Sequence, residues 1–132
     1  MVAVFGGWGC GICTQCKNWN EQLCNYAKWL GISVDGGFSE YLLVDSYRFL
    51  IKIEGDGGKS KLCIEELAPL TDAGLTPYRT IKKIRHMLGP GNVISVMGIG
   101  GLGYYAVLCA IILGQISNII AFDRQDERLQ LA

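Results

Sequence analysis

Four of the six cysteines in this 132-residue chain, Cys10, Cys13, Cys16 and Cys24, fall inside the stretch CGICTQCKNWNEQLC. Thiolates this close together can converge on one soft cation. A tetrahedral zinc site takes four such ligands, with each sulfur about 2.3 Å from the metal, and a tight loop delivers them. The spacing here is C-x2-C-x2-C-x7-C. Two disulfides are an alternative use of four cysteines, but the crowding of the first three and a reducing compartment argue against them. An iron–sulfur cluster is a second alternative, because bacterial cluster-binding runs also open C-x2-C-x2-C. Those runs continue x3-C-P, whereas Asn25 follows Cys24 here and the intervening stretch is longer. A nucleic-acid zinc ribbon is a third; it pairs two C-x2-C knuckles across about 15–20 residues, a pattern this chain lacks.

A second constellation is GIGGLG, Gly98 to Gly103, which follows the apolar run VISVM and opens a helical pattern. The spacing suits a pyrophosphate. Gly98 permits a tight turn, Gly100 lets the backbone approach the ligand, and Gly103 allows close packing of helix on strand. Gly101 and Leu102 lie between them, at a helix N-terminus that favours anions. Asp123 stands at the end of the next apolar run, NIIAF, where a carboxylate can accept hydrogen bonds from ribose hydroxyls. Its charge would repel a 2′-phosphate, so NAD is favoured over NADP, a preference that the neighbouring Arg124 could soften.

The elements that must position these residues follow from local pattern. Val2 to Phe5 is a short apolar run, and GGFSEYLLV suits a strand entered from a Gly36-Gly37 turn. EGDGGKS, residues 54–60, reads as an exposed turn. Thr76 and Pro77 read as the N-cap and first residue of a helix with Tyr78, Ile81, Ile84 and Leu88 on one face. Arg79, Lys82, Lys83 and Arg85 form its solvated side, and Gly89-Pro90-Gly91 ends it. VISVM, a helix from Gly101 to Leu113, and NIIAF then form one βαβ unit. That helix is apolar nearly all round, so something further must cover it. The final residues, RQDERLQLA, begin another helix.

Composition bounds the function classes. Half the residues are hydrophobic, and 12 basic residues balance 12 acidic ones, so there is no electrostatic footprint for nucleic acid or an anionic membrane. Met87 to Phe122 contains no charged residue, but its glycines and Pro90 divide it into pieces too short to span a bilayer. The chain starts without a basic and apolar secretory leader, and the expected location is cytoplasmic.

With the cysteine loop followed by GxGxxG at this separation, the sequence resembles the zinc-containing medium-chain alcohol dehydrogenases. CGICTQCKNWNEQLC, DGGFSEYLLV, APLTDAGLTPYR and GIGGLG carry the resemblance. It implies an α/β protein in which a partial β-rich, GroES-like catalytic domain (residues 1–66) joins the first βαβ unit of a Rossmann dinucleotide-binding domain (92–132) through connecting helices (67–91). It implies a structural zinc on Cys10, Cys13, Cys16 and Cys24. It also implies a separate catalytic zinc with one ligand at Asp72, where many relatives carry cysteine and some a carboxylate, and places Thr76 beside the nicotinamide. The implied activity is reversible oxidation of a small-molecule alcohol to a carbonyl with hydride transfer to NAD, in a homo-oligomer when the relative is complete.

The family's other catalytic-zinc ligands, a cysteine and a Gly-His-Glu segment, precede the four-cysteine lobe, and MVAVFGGWG, the stretch before Cys10 here, contains neither. The one histidine, His86, reads as a solvated residue near a helix end, Cys109 as a core thiol, and Cys63 as part of a polar stretch. The expectation is the middle portion of a dehydrogenase, truncated at both ends and inactive by itself, with a non-catalytic zinc- and nucleotide-binding remnant as the alternative.

Overall fold

The structure, a computed structural model, describes residues 1–53, 63–114, 116 and 118–131. The chain divides into two compact units, Met1–Leu67 and Ala68–Ala132.

In the first unit, the apolar N-terminal run forms strand β1 (Val2–Val4). Strand β2 (Gly7–Trp8) follows, then one helical turn α1 (Thr14–Lys17) and strand β3 (Lys28–Trp29). Strand β4 (Leu50–Lys52) pairs antiparallel with β1, Ala3 opposite Ile51, and β2 pairs antiparallel with β3. Hydrogen bonds from Phe5 N to Phe49 O (2.8 Å) and from Ile53 N to Met1 O (3.0 Å) extend the first pair at both ends. Trp8 and Phe49, both buried, stack with ring centroids 5.7 Å apart, and the Trp8 indole N–H donates to Phe5 O at 2.6 Å. This satisfies the indole's one polar atom while its rings fill the small core. Helix α2 (Ile64–Leu67) closes the unit.

The expected strand in GGFSEYLLV does not form. Residues 38–44 adopt no regular structure, and Phe38, Tyr41 and Leu43 are exposed. A strand exists only when a neighbour takes its backbone N–H and C=O groups, and among the described residues this segment meets no such neighbour. The proposed turn at residues 54–60 lies outside the described residues.

The second unit holds helix α3 (Leu75–Ile84), strand β5 (Val93–Met97), helix α4 (Gly101–Gly114), strand β6 (Asn118–Phe122) and the short helix α5 (Asp126–Leu129). Helix α3 begins earlier than the sequence suggests: Gly74 is its N-cap, and Pro77 is its third residue. Proline is tolerated there because the N–H groups of a helix's first turn have no intrahelical acceptor. A short 3₁₀ turn, Arg85–Met87, finishes the helix and leaves His86 exposed.

Strands β5 and β6 are parallel and in register from Val93 opposite Asn118 to Met97 opposite Phe122. Helix α4 makes the crossover and packs on α3 and on both strands. Its buried residues are Gly103, Val107, Ala110 and Gly114, while Leu102, Ile111 and Ile112 remain exposed. The all-round apolar helix is thus covered on one side. Among the described residues no helix is long and apolar enough to cross a membrane.

Candidate metal centre and nucleotide turn

Local helix geometry gathers the first thiols. Cys13 is the N-cap of α1, its sulfur accepting from Cys16 N at 3.5 Å, so the x2 spacing places Cys13 and Cys16 one helical turn apart. The loop then returns through a 3₁₀ turn, Glu21–Leu23, which delivers Cys24. The Cys24 sulfur accepts from Cys10 N at 3.5 Å and from Tyr26 N at 3.3 Å. Backbone donors of this kind stabilise thiolates.

All four sulfurs lie within 4.8 Å of one another, and those of Cys10 and Cys16 are 3.9 Å apart. Sulfurs about 2.3 Å from a tetrahedral zinc stand roughly 3.8 Å from each other, so the donor set fits that ion. Cys16 and Cys24 are buried and all six cysteines are free thiols. Donation from the Ile12 and Cys13 backbone lowers the Cys10 thiol to about 6, whereas burial pushes Cys16 up to about 12. Without a cation, Cys16 is therefore the reluctant member, and burial of its charge needs a partner.

In the second unit, Gly98 has φ +87°, a left-handed conformation that suits glycine. A Cβ built on Gly103 would lie 1.8 Å from the Gly98 carbonyl oxygen, whereas one on Gly100 meets nothing within 4 Å. The third glycine is therefore required by backbone packing, and the middle one borders open space. Gly100 O accepts from Tyr104 N at 2.9 Å, which starts α4 and leaves the N–H groups of its first turn available to an anion.

Asp123 ties this turn down. Its Oδ2 accepts from Ile99 N at 2.7 Å and its Oδ1 from Gln125 N at 3.0 Å. Those two donations, Gln125 first, hold the carboxyl below its ordinary value, and the Arg128 guanidinium, 3.8 Å from Oδ2, adds to the effect. Gly98, Asp123, Arg124 and Arg128 line a cavity of about 560 Å³. No motif in the sequence marks Arg128. It lies in the short helix α5, which follows β6 closely enough for its guanidinium to reach Asp123.

Asp72 is exposed in the turn before α3, and its backbone oxygen accepts from Thr76 N at 3.2 Å. It is not the cap of that helix, since Gly74 holds that place. The structure puts Asp72 and Thr76 one turn apart, but Asp72 joins no group of three or more metal-ligating side chains among the described residues. Cys63 is exposed, and Cys109 sits on α4, where burial raises its thiol.

Residues 1–55 match the alcohol dehydrogenase GroES-like domain. The chain is 38% identical to an NAD-dependent alcohol dehydrogenase of Sulfurisphaera tokodaii, over all of this chain and 36% of that protein. Its fold is similar to the crystal structure of the alcohol dehydrogenase of Aeropyrum pernix, with TM-score 0.81 and 32% identity over 98% of this chain and 37% of that one. A cobalt- and zinc-bound thermostable alcohol dehydrogenase from Pyrobaculum aerophilum is similar at TM-score 0.78 and 26% identity, covering 98% of this chain and 36% of that one. The chain thus spans about a third of the length of these relatives.

Proposed function

We propose, from the premise that this chain belongs to the alcohol dehydrogenase family, that it carries the structural-zinc lobe and the start of the NAD-binding domain of a zinc-dependent alcohol dehydrogenase. The observation that carries the reading is the convergence of four sulfurs within 4.8 Å. In this reading residues 1–66 belong to the catalytic domain, 67–91 are connecting helices, and 92–132 open a Rossmann domain. The protein works in the cytoplasm as a homo-oligomer on a small-molecule alcohol or carbonyl.

When bound, zinc cross-links the lobe and contributes folding energy directly, and NAD supplies the carbon that takes up hydride from the alcohol. Cys10, Cys13, Cys16 and Cys24 hold the metal as thiolates. Gly98, Gly100, Gly101, Leu102 and Gly103 present backbone to the pyrophosphate, and Asp123 orients the adenosine ribose. Arg124 borders the same cavity, where a 2′-phosphate would meet the Asp123 charge. Thr76 lies by the nicotinamide end, and Asp72 offers one carboxylate to the catalytic zinc. One ligand cannot make a site that needs three, so this chain alone is expected to reduce no NAD.

Elemental analysis tests the reading. The purified chain should carry close to one zinc, and a Cys10→Ser, Cys13→Ser variant should carry none. Zinc content indifferent to that double substitution would overturn it, as would a brown iron-loaded protein.

A further inference from the structure

The cysteine lobe is held by two side chains that are not cysteines. Arg48 lies in a 3₁₀ turn, Tyr47–Phe49, that leads into β4, far along the chain from the lobe. Its Nη2 donates to Gly9 O, and its Nη1 stands 3.3 Å from Glu21 Oε1. Glu21 closes the circuit: its Oε2 accepts from Gly9 N at 3.2 Å. Both polar groups of Gly9, the residue before Cys10, are therefore taken by one ion pair.

The residue after Cys10 is shaped by the same pair. Gly11 has φ +79°, and a Cβ there would lie 2.7 Å from Arg48 Nη1, so the guanidinium rests against bare backbone. A Cβ on Gly9 would meet the Cys16 sulfur at 2.7 Å and Glu21 Cβ at 2.9 Å. The Arg48 guanidinium also sits 4.5 Å over the buried Phe49 ring, which limits its freedom. Glu21 is mostly buried, with 20% of its side chain exposed, and Arg48 is 38% exposed. The fork geometry of arginine suits this double engagement, and a lysine cannot reproduce it.

From this arrangement we infer that Glu21 and Arg48 form a positioning clamp for the metal centre, fixing the peptides on either side of Cys10 so that its sulfur meets those of Cys13, Cys16 and Cys24. The inference rests on the reading of the four cysteines as a zinc site. The clamp contributes no ligand atom. It acts as hydrogen-bonded partners of metal ligands do, by restricting the ligand to its bound orientation. The cationic guanidinium beside the lobe also offsets part of the net negative charge of a zinc tetrathiolate.

Zinc release from the loaded protein to excess EDTA, followed with the indicator 4-(2-pyridylazo)resorcinol, tests the clamp. Arg48→Met should release zinc about 10–100-fold faster than wild type, as expected when the 10–100-fold loss of metal affinity that follows removal of a ligand's partner falls on the release rate. Arg48→Lys should fall between the two, because it restores charge without the fork. Glu21→Gln, which is isosteric, should show a smaller acceleration and decides the matter should Arg48→Met not fold. In cobalt(II)-loaded protein, Arg48→Met should weaken the thiolate-to-cobalt band as Cys10 loses its orientation, a change that general loss of stability does not produce in the folded fraction. Lys28→Met breaks the exposed Lys28–Asp45 pair in the same unit and should leave release unchanged. Release from Arg48→Met and Glu21→Gln within twofold of wild type would overturn the clamp while leaving the zinc site standing. A wild-type protein without zinc would overturn the metal reading and the clamp with it.

Discussion

Replacing Gly103 by alanine places a methyl carbon 1.8 Å from the Gly98 carbonyl oxygen and 2.9 Å from its carbon. Real Cβ contacts do not fall below 3.0 Å, so backbone must move by more than an ångström. Neither side can move freely. Gly98 N donates to Phe122 O at 2.7 Å, and Ile99 N donates to Asp123 Oδ2 at 2.7 Å, while α4 is packed on α3 and on both strands. The expected cost is at the upper end of overpacking, about 3 kcal/mol. Gly98→Ala has room for its methyl group but must hold φ +87°, a strain of about 1–2 kcal/mol. Gly100→Ala meets nothing within 4 Å and has no left-handed φ, so its stability should match wild type or exceed it. Guanidinium unfolding followed by circular dichroism should rank the variants Gly100→Ala, Gly98→Ala, Gly103→Ala from most to least stable. Titration calorimetry with NAD, in protein that binds it, separates stability from binding. Gly100→Ala should bind worst among the folded variants, because its methyl group fills the space left for the pyrophosphate. A Gly103→Ala protein as stable as wild type would refute the packing argument, and undiminished NAD binding by Gly100→Ala would refute the ligand argument.

Asp123→Asn should lower the unfolding midpoint at neutral pH, because the charged acceptor of the Ile99 and Gln125 N–H groups is lost. The Asp123 carboxyl is lowered below 3.8 by those donors, so its stabilisation is present above 3.8 and disappears as pH falls through the lower folded value. The gap between wild type and variant should therefore be flat near neutrality and close in acid; a gap that widens in acid would contradict the assignment. Trp19 holds φ 59° and is 86% exposed. Trp19→Asn should stabilise the zinc-loaded protein by about 0.5–1 kcal/mol in thermal unfolding, since asparagine tolerates the left-handed region better. An unchanged or lower midpoint would mean that the indole has a partner that compensates for the strain.

The two chemical constellations are legible in the amino-acid sequence because each is local. Cys10, Cys13, Cys16 and Cys24 converge largely through one helical turn and one short loop, and short-range spacing predicts short-range geometry. The βαβ unit is legible for a similar reason: VISVM, the helix from Gly101 and NIIAF each announce themselves by length and apolar pattern. Helix α3 is legible with its start displaced, because Pro77 fits both the first and the third helical position and nothing in the local sequence separates them.

Tertiary structure alone decided the rest. GGFSEYLLV has the composition of a strand, but pairing is a property of two segments, and residues 38–44 remain unpaired among the described residues. The role of Arg48 is invisible in the sequence because its partners are distant along the chain: Gly9 just before the lobe and Glu21 within it. Asp123 is placed near the glycine turn by its spacing, but its bond to Ile99 N follows from the parallel register that sets Met97 opposite Phe122. What residue types and spacing determine is which chemistry the chain can hold. Which side chains hold that chemistry still depends on the long-range contacts that bring Arg48 to Gly9 and Asp123 to Ile99, and no local pattern carries those.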